Sequence, residues 1–482
     1  MRIPLGGKSQ DMKSRRSRED VINCWLETNA DGSFKRLTRA IAFKFLETIG
    51  TGPIRGELVA GGVLYVVSGS NFYKINVSPF GALSSTLVGA VSGQNGSVSM
   101  AAIGADTPQI QVLTNGTGYI YKTSDGSFTK ITDVNYTPDY SVVGWNDRFW
   151  LNKPNSNKFF CSDVLDGLTY NALFFAQADT NSDSIKAMVT LGSTLYPFGA
   201  NSTEQWEGVV TTDVIPVQRI QGSTLDRGIA SAQTLVKFEN TAFWLADDFT
   251  VRSLSGGQMQ KVSDLPFENE VTTYSSPTSS FGFFVDYPFY KCYCLTFPGN
   301  DVTWCYDVQR GIWHKRKSVG VDSWRIGASA NFSNMVLVGD RFNGNIYQMD
   351  ANTYTENGVE TPATWVTTSV NNNDAVMTYS KLELVADMGV GSIGNVNAIG
   401  QILPQPVDPK ISYSRSLNGG ATYINLPDQS LGRVGEREKK LIWRNPIRVP
   451  RTQDLVHKFE VNGDCALNIY EAYMTGFQGV QG

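Results

Sequence analysis

From about residue 56 onward the chain repeats one pattern: an alternating apolar strand, a Gly/Asn/Asp/Ser turn, and a second strand rich in aromatic and β-branched residues. The pattern is plainest in GELVAGGVLYVVSGSNFYKINV, beginning at Gly56, where Leu64 and Val66 share one face and Tyr65 and Val67 the other. Comparable units begin at Gln109, Tyr140, Ile185, Thr234, Phe281 and Gly327, at intervals of 31 to 53 residues. Propeller blades repeat every 40 to 50 residues or so, and each must bury a sheet face against the next, so such a set closes into a ring with few free edges. A sandwich of hairpins also repeats strand and turn, but blade-sized spacing favours the propeller. Six or seven blades remain open, because the first and last units can share one.

Near Thr361 the text changes to longer alternating strands, TPATWVTTSV, ISYSRSLNGGATYINL and LIWRNPIRV among them, which predict a separate β-sandwich. Residues 389–409 are rich in Gly, Asn and Pro and read as a loop inside it. The expected organisation is an N-terminal arm and lead-in segment over 1–55, a β-propeller over 56–350 and a C-terminal β-sandwich over 361–482, in an all-β chain. Helical spacing shows only over residues 36–48, RLTRAIAFKFLET, against the grain of their β-branched and aromatic content.

A formal net charge of -4 gives no global basic field for phosphate backbones, so any contact with double-stranded DNA is expected to be local or transient. No apolar run approaches the ~20 residues of a membrane-spanning helix. The six cysteines (Cys24, Cys161, Cys292, Cys294, Cys305, Cys465) show no framework spacing and read as reduced. Cys292, Cys294, Cys305 and His314 superficially resemble a zinc set, but residues two apart on a strand do not make the tight knuckle of a C-x₂-C site. His314 and His457 are the only histidines, and no nucleophile motif accompanies either. Asp247, Asp248, Asp286, Asp301 and Asp307 are candidates for a paired-carboxylate glycosidase, yet aspartate at hairpin turns is what turn chemistry alone predicts. No cofactor, metal site or small-molecule substrate is expected.

Two basic stretches are left as candidate interfaces. One spans residues 8–18 and includes Arg15, Arg16 and Arg18; the other spans 433–451, with Arg433, Arg437, Lys439, Lys440, Arg444, Arg448 and Arg451 against Glu436 and Glu438. Either could face DNA or an acidic protein partner; alternation around Leu441 and Trp443 reads as a strand, so a solvated sheet face is as good a reading of the second as an interface.

Taken in order, several blocks resemble the tail hub of short-tailed bacteriophages, the packaged-DNA stabilisation proteins, which are similar to the tail nozzles. They are Pro4, Gly6 and the Ile22-Asn23 pair; GTGPIRGELVAGGVLYVVSGSNFYKIN; FFAQADTNSDSIKAMVTLGSTLYPFGANSTEQWE with QRIQGSTLDRGIASAQTLVKFENTAFWLADD; then SLNGGATY and GRVGEREKKLIWRNPIRVPRTQDLVHKFEV. Where that family has a clear Pro-Gly turn before the first blade, this chain has residues 46–52. The resemblance implies a structural virion protein without catalytic residues. It implies a hexameric ring beneath the portal-bound adaptor ring, made in the host cytoplasm, to which a tail needle or plug and tailspikes or fibres attach. The competing expectations are a virion-borne propeller glycosidase or depolymerase, and a carbohydrate-binding module.

Overall fold

The computed structural model describes residues 3, 20–29, 34–78, 82–181, 183–210, 215–367, 369, 376–390, 408–450 and 453–478. They fall into two compact units: one of Phe45–Trp313 with Ser323–Gln348, the other of Met1–Lys44, His314–Asp322 and Met349–Gly482.

The first unit is a seven-bladed propeller. Blade I contains strands Ile54–Ala60, Val63–Ser68, Asn71–Val77 and Leu83–Ala90 from axis to rim. The inner strands of blades II to VI are Ser99–Ile103, Val142–Trp145, Ile185–Leu191, Val236–Phe238 and Phe281–Tyr287, each followed by three strands in sequence order. Blade VII runs Ile326–Phe332, Met335–Asp340 and Asn345–Asp350, and takes its fourth strand, Ala42–Thr48, from upstream of blade I. Inner strands touch in order around the ring, except that of blade IV, which meets blade V at the turn Ala232–Thr234 and the strand Thr241–Leu245; that of blade VII lies against that of blade I. All seven repeats therefore own a blade, and the ring is closed by a borrowed outer strand. Within the propeller unit the seam is held by Thr48 Oγ1 donating to Asn345 Oδ1 (2.7 Å) and Ile49 N to Gly344 O (2.7 Å).

Stacking on both sides explains the local sequence. The second strand of each blade is covered on both faces, so it reads as a nearly continuous apolar run: VLYVVS, QIQVLT, RFWLN and TAFWL are buried almost throughout. Trp150 and Trp244 are fully buried here, and each indole N–H donates to a carbonyl, of Trp145 and Gly228 respectively (3.0 Å each). Inner strands are cross-tied by serines: Val142 N donates to Ser99 Oγ (3.0 Å), Met188 N to Ser141 Oγ (3.0 Å), and Ser231 Oγ to Ser280 O (2.7 Å). Between the second and third strands of blade II, Asn115 and Gly116 both take positive φ, as a two-residue hairpin turn requires. The α-helix among the described residues, Leu265–Val271, is capped by Asp264, whose Oδ1 accepts from Phe267 N (3.1 Å), and it packs Phe267 on Trp313.

The second unit is a β-sandwich. One sheet orders Asp20–Ile22, Ala363–Val366, Val456–Val461, Lys410–Ser416 and Ile424–Ser430; the other orders Cys24–Thr28, Phe34–Arg39, Asn468–Gln478, Met377–Ala386 and Leu441–Trp443. Their facing residues form one core, with Trp365, Tyr413 and Phe459 from the first sheet and Leu37, Leu382, Leu384 and Met474 from the second.

Two expectations are corrected. Within 1–55, the described residues from Asp20 on are not an arm or lead-in segment: the strands between Asp20 and Arg39 complete the sandwich, and Ala42–Thr48 completes blade VII. The helical spacing at 36–48 belongs to two strands, because Phe34–Arg39 and Ala42–Thr48 each find a sheet edge to pair with, and pairing overrides weak periodicity.

Candidate interaction surfaces

The basic stretch expected as a strand proves to be mostly a glycine-turned loop on the sandwich. Gly432 and Gly435 take φ of +88° and +91°, and only Leu441–Trp443 and Ile447–Val449 are extended in ladders. Buried Leu431 and Leu441 pin its two ends, while Arg433, Arg437, Lys439, Lys440 and Arg444 are all exposed. Leu431 O accepts from Gly389 N (2.8 Å), which fixes the loop's start. Glu436 organises the turn, taking Arg433 N (3.1 Å) and Lys439 Nζ (2.7 Å), and the Lys439 hydrogen bond holds its carboxyl below the usual glutamate value. Lys439 also donates to Ser430 Oγ (2.9 Å). Arg437, Lys440 and Arg444 are exposed and make no ion pair among the described residues. Arg15, Arg16, Arg18 and Arg451 lie outside the described residues.

The candidate catalytic carboxylates are all engaged. Asp248 binds Arg227 and Arg252 (3.1 Å each), Asp247 accepts from Gly228 N (3.1 Å), and Asp286 pairs with Lys291 (2.9 Å). Asp307 takes Arg310 (2.5 Å) with two turn N–H groups, and Asp301 takes Ser323 N (3.2 Å). These carboxylates serve turns and ion pairs. His457 is buried with Nδ1 2.8 Å from the Tyr413 hydroxyl, and burial, with Arg415 nearby, pushes its pKa down to about 3. Neutral imidazole at that depth is a packing group. Among the described residues, no three His, Cys, Asp or Glu side chains group as a metal site.

One side-chain hydrogen bond crosses the propeller axis. Ser97, which leads into blade II, donates from Oγ to Gln233 Oε1 of blade V at 2.7 Å. In a ring of seven, those blades are as far apart as blades can be, so the bond spans the axis. Gln233 reaches inward because a short 3-10 turn, Ala232–Thr234, precedes the inner strand of blade V. Sequence reading missed this contact, since nothing in either residue's neighbourhood marks it.

Rims differ in how they are finished. Outer strands of blades II, III and IV have three residues each, and that of blade V, Gln258–Lys261, has four. The outer strand of blade I, Leu83–Ala90, has eight, carries no charged residue, and forms the rim edge of its sheet among the described residues. Long neutral edges are templates for strand addition, which short or charged edges prevent. The signal was present in the text LSSTLVGA, which lacks the Lys or Pro that usually blunts an edge.

At the seam between blades VII and I, the carboxyl of Glu57 has neither oxygen hydrogen-bonded, although part of the residue's stem reaches solvent. It fits because residue 339 is glycine; a Cβ there would come within 2.5 Å of Glu57 Oε1. Burial pushes this acid up to about 8. A folded pKa raised above the unfolded 4.5 means that this site costs propeller stability nothing below pH 4.5 and progressively more as pH rises towards 8. Glu57→Gln keeps shape and polarity but removes the titration, so it is expected to stabilise the propeller at pH 7 by about 2–3 kcal/mol and by nothing at pH 4.5. Urea melts at the two pH values measure this; an equal effect at both would refute it.

Together, the ring of stacked blades and the bond across its axis define a closed seven-bladed β-propeller. The match to known families is specific. A family model described as "Bacteriophage P22 Gp10, beta-propeller", of the phage-stabilisation type, matches residues 38–354. The chain belongs to this family of phage DNA-stabilisation proteins, and its first matched residues fall at the strands that close the sandwich and blade VII. No curated protein matches the chain. Among solved structures it is similar to virginiamycin B lyase from Staphylococcus aureus (11% identity, TM-score 0.41, covering 64% of this chain and 98% of that one). It is similar also to the extracellular domain of a one-component system from B. thetaiotaomicron (10%, 0.41, 84% and 48%) and to a computationally designed protein (10%, 0.39, 64% and 100%). At that identity and overlap none of them bears on what this chain does.

Proposed function

We propose that this chain is a subunit of the virion tail hub or nozzle, a homo-oligomeric ring that joins the portal-bound adaptor to the distal tail parts and keeps the packaged genome in. Its membership of the phage-stabilisation family carries the reading. The bond across the propeller axis supports one detail of it. A duplex whose major groove alone is about 12 Å wide does not fit an axis crossed by the 2.7 Å Ser97–Gln233 bond, which favours an exit path between subunits. Identical subunits in head-to-tail contact must close or grow into filaments, and a hexamer is the closure we propose. The six cysteines, all buried and reduced, suit assembly in the host cytoplasm before release. No catalysis is assigned to the chain, and the carboxylates that a depolymerase would need are held in turns and ion pairs. Removing the protein from an assembling phage tests the reading: filled heads are expected to lose DNA, and stable full heads without it would overturn the proposal.

Within this picture the loop carrying Arg437, Lys439 and Arg444 is a protein interface, since a tube that must let DNA slide out gains nothing from a dense cationic lining. Charge reversal is expected to change folding stability by less than about 0.5 kcal/mol at Arg437 or Arg444 and by about 1 kcal/mol at Lys439, which loses Glu436, while the three together block ring or tail assembly. Complete tails in which only the salt dependence of DNA retention shifts would place the loop on the channel instead.

A further inference from the structure

We propose that Cys294 and Cys305 form a redox pair, open in the reducing cell and closing to a disulfide once the protein meets a peroxide outside it. The two residues are directly opposed on adjacent strands of blade VI, Tyr290–Phe297 and Val302–Asp307. Their sulfurs lie 3.3 Å apart, and both residues are fully buried. The ladder shows that the spacing suits a bond. Val308 N donates to Lys291 O (2.9 Å), which makes residues 291 and 308 a hydrogen-bonded pair. Bonded and non-bonded pairs alternate in an antiparallel ladder, so 293 with 306 is bonded and 294 with 305 is not. Non-bonded pairs bring Cα atoms to about 4.5 Å, inside the ~4.4–6.8 Å range that a disulfide spans. Closing the sulfurs to about 2.05 Å then needs side-chain rotation and little backbone movement.

Burial restricts the oxidant to a small neutral one, and hydrogen peroxide fits. One sulfur attacks the O–O bond, leaving as a sulfenic acid with release of one water; the second sulfur displaces the hydroxyl from it, releasing another. Two thiols lose two electrons and two protons in all, and one peroxide becomes two waters. Cys292, two residues along on the same face and opposite Asp307, is the internal control. The crosslink ties together the two central strands of blade VI, next to the hairpin turn at Pro298–Asn300.

The test uses the intact folded chain, treated with hydrogen peroxide, quenched, unfolded in alkylating reagent and mapped by mass spectrometry. Alkylatable thiols are expected to fall from six to four, with one crosslinked peptide joining residues 294 and 305. Cys292→Ser is expected to leave the crosslink intact, and Cys305→Ser to abolish it. Six alkylated thiols after treatment, a crosslink through Cys292, or overoxidised Cys294 without a disulfide would each overturn the proposal. The wild-type map decides this even where a serine variant folds poorly.

Discussion

The sandwich is expected to lose about 4 kcal/mol of stability between pH 6.5 and pH 3 through one side chain, and His457→Gln is expected to remove that part of the loss. His457 is sealed between the sheets beside Trp443 and Arg415, at a cavity with room for about one water, and its Nε2 has no hydrogen-bond partner. Its pKa is about 3 in the fold and 6.5 in the free side chain, so between those values the unfolded chain binds the extra proton and the folded one does not. Stability from this site is therefore complete above pH 6.5 and falls as pH drops, by about 1.4 kcal/mol per unit in the steep part. Carboxylates titrate over the same range, so the informative quantity is the difference between wild type and variant. Urea midpoints followed through sandwich amides by hydrogen exchange give it, and parallel pH profiles for the two proteins would rule the claim out. Glu57 works in the opposite direction in the propeller. The two units thus weaken at opposite ends of the pH scale, and their order of unfolding is expected to change between acid and mild alkali.

How much of this was legible depends on whether a segment's partner is near in sequence. Blade strands such as Val63–Ser68 and Thr241–Leu245 declare themselves, since burial on both faces demands an unbroken apolar run and the hairpin partner lies a few residues away. The borrowed strand Ala42–Thr48 does not, because its partner in blade VII lies some three hundred residues downstream and its alternation imitates a helical stripe. The same distance hid the sandwich strands Cys24–Thr28 and Phe34–Arg39. Among site residues, exposure of the cations at 433–444 followed from their charge, whereas their loop form depended on Gly432 and Gly435, whose positive φ breaks the alternation read there. The Cys294–Cys305 pair was within reach: a hairpin turning at Pro298–Asn300 sets residues 294 and 305 face to face once the turn is taken as the centre. The Ser97–Gln233 bond was not, since it depends on ring closure and on which blades face across the axis.

Arg39 is where the least conservative outcome is expected from a single substitution. It ends the strand Phe34–Arg39 and is buried, and no carboxylate pairs with it among the described residues. Its guanidinium instead donates to four carbonyls: Gly463 O (2.6 Å), Cys465 O (3.0 Å), Thr361 O (2.8 Å) and Tyr354 O (3.2 Å). One side chain from the start of the chain thus ties three separate downstream segments of the sandwich. Arg39→Ala leaves those acceptors buried without a donor and opens a cavity the size of the lost side chain, at an expected total of about 3–5 kcal/mol. Arg39→Lys keeps the charge but has no planar fork, so an ammonium can serve some of the four positions and not all; it is expected to recover less than half of the loss. Limited proteolysis separates this from a general weakening. Cleavage is expected to appear first within residues 361–478, while blades I to VI, which make no use of Arg39, stay protected until higher urea. A loss below about 1 kcal/mol in Arg39→Ala, or blade strands cut as early as the sandwich, would mean that the four carbonyls find water and that the N-terminal strand is held by its ladder alone.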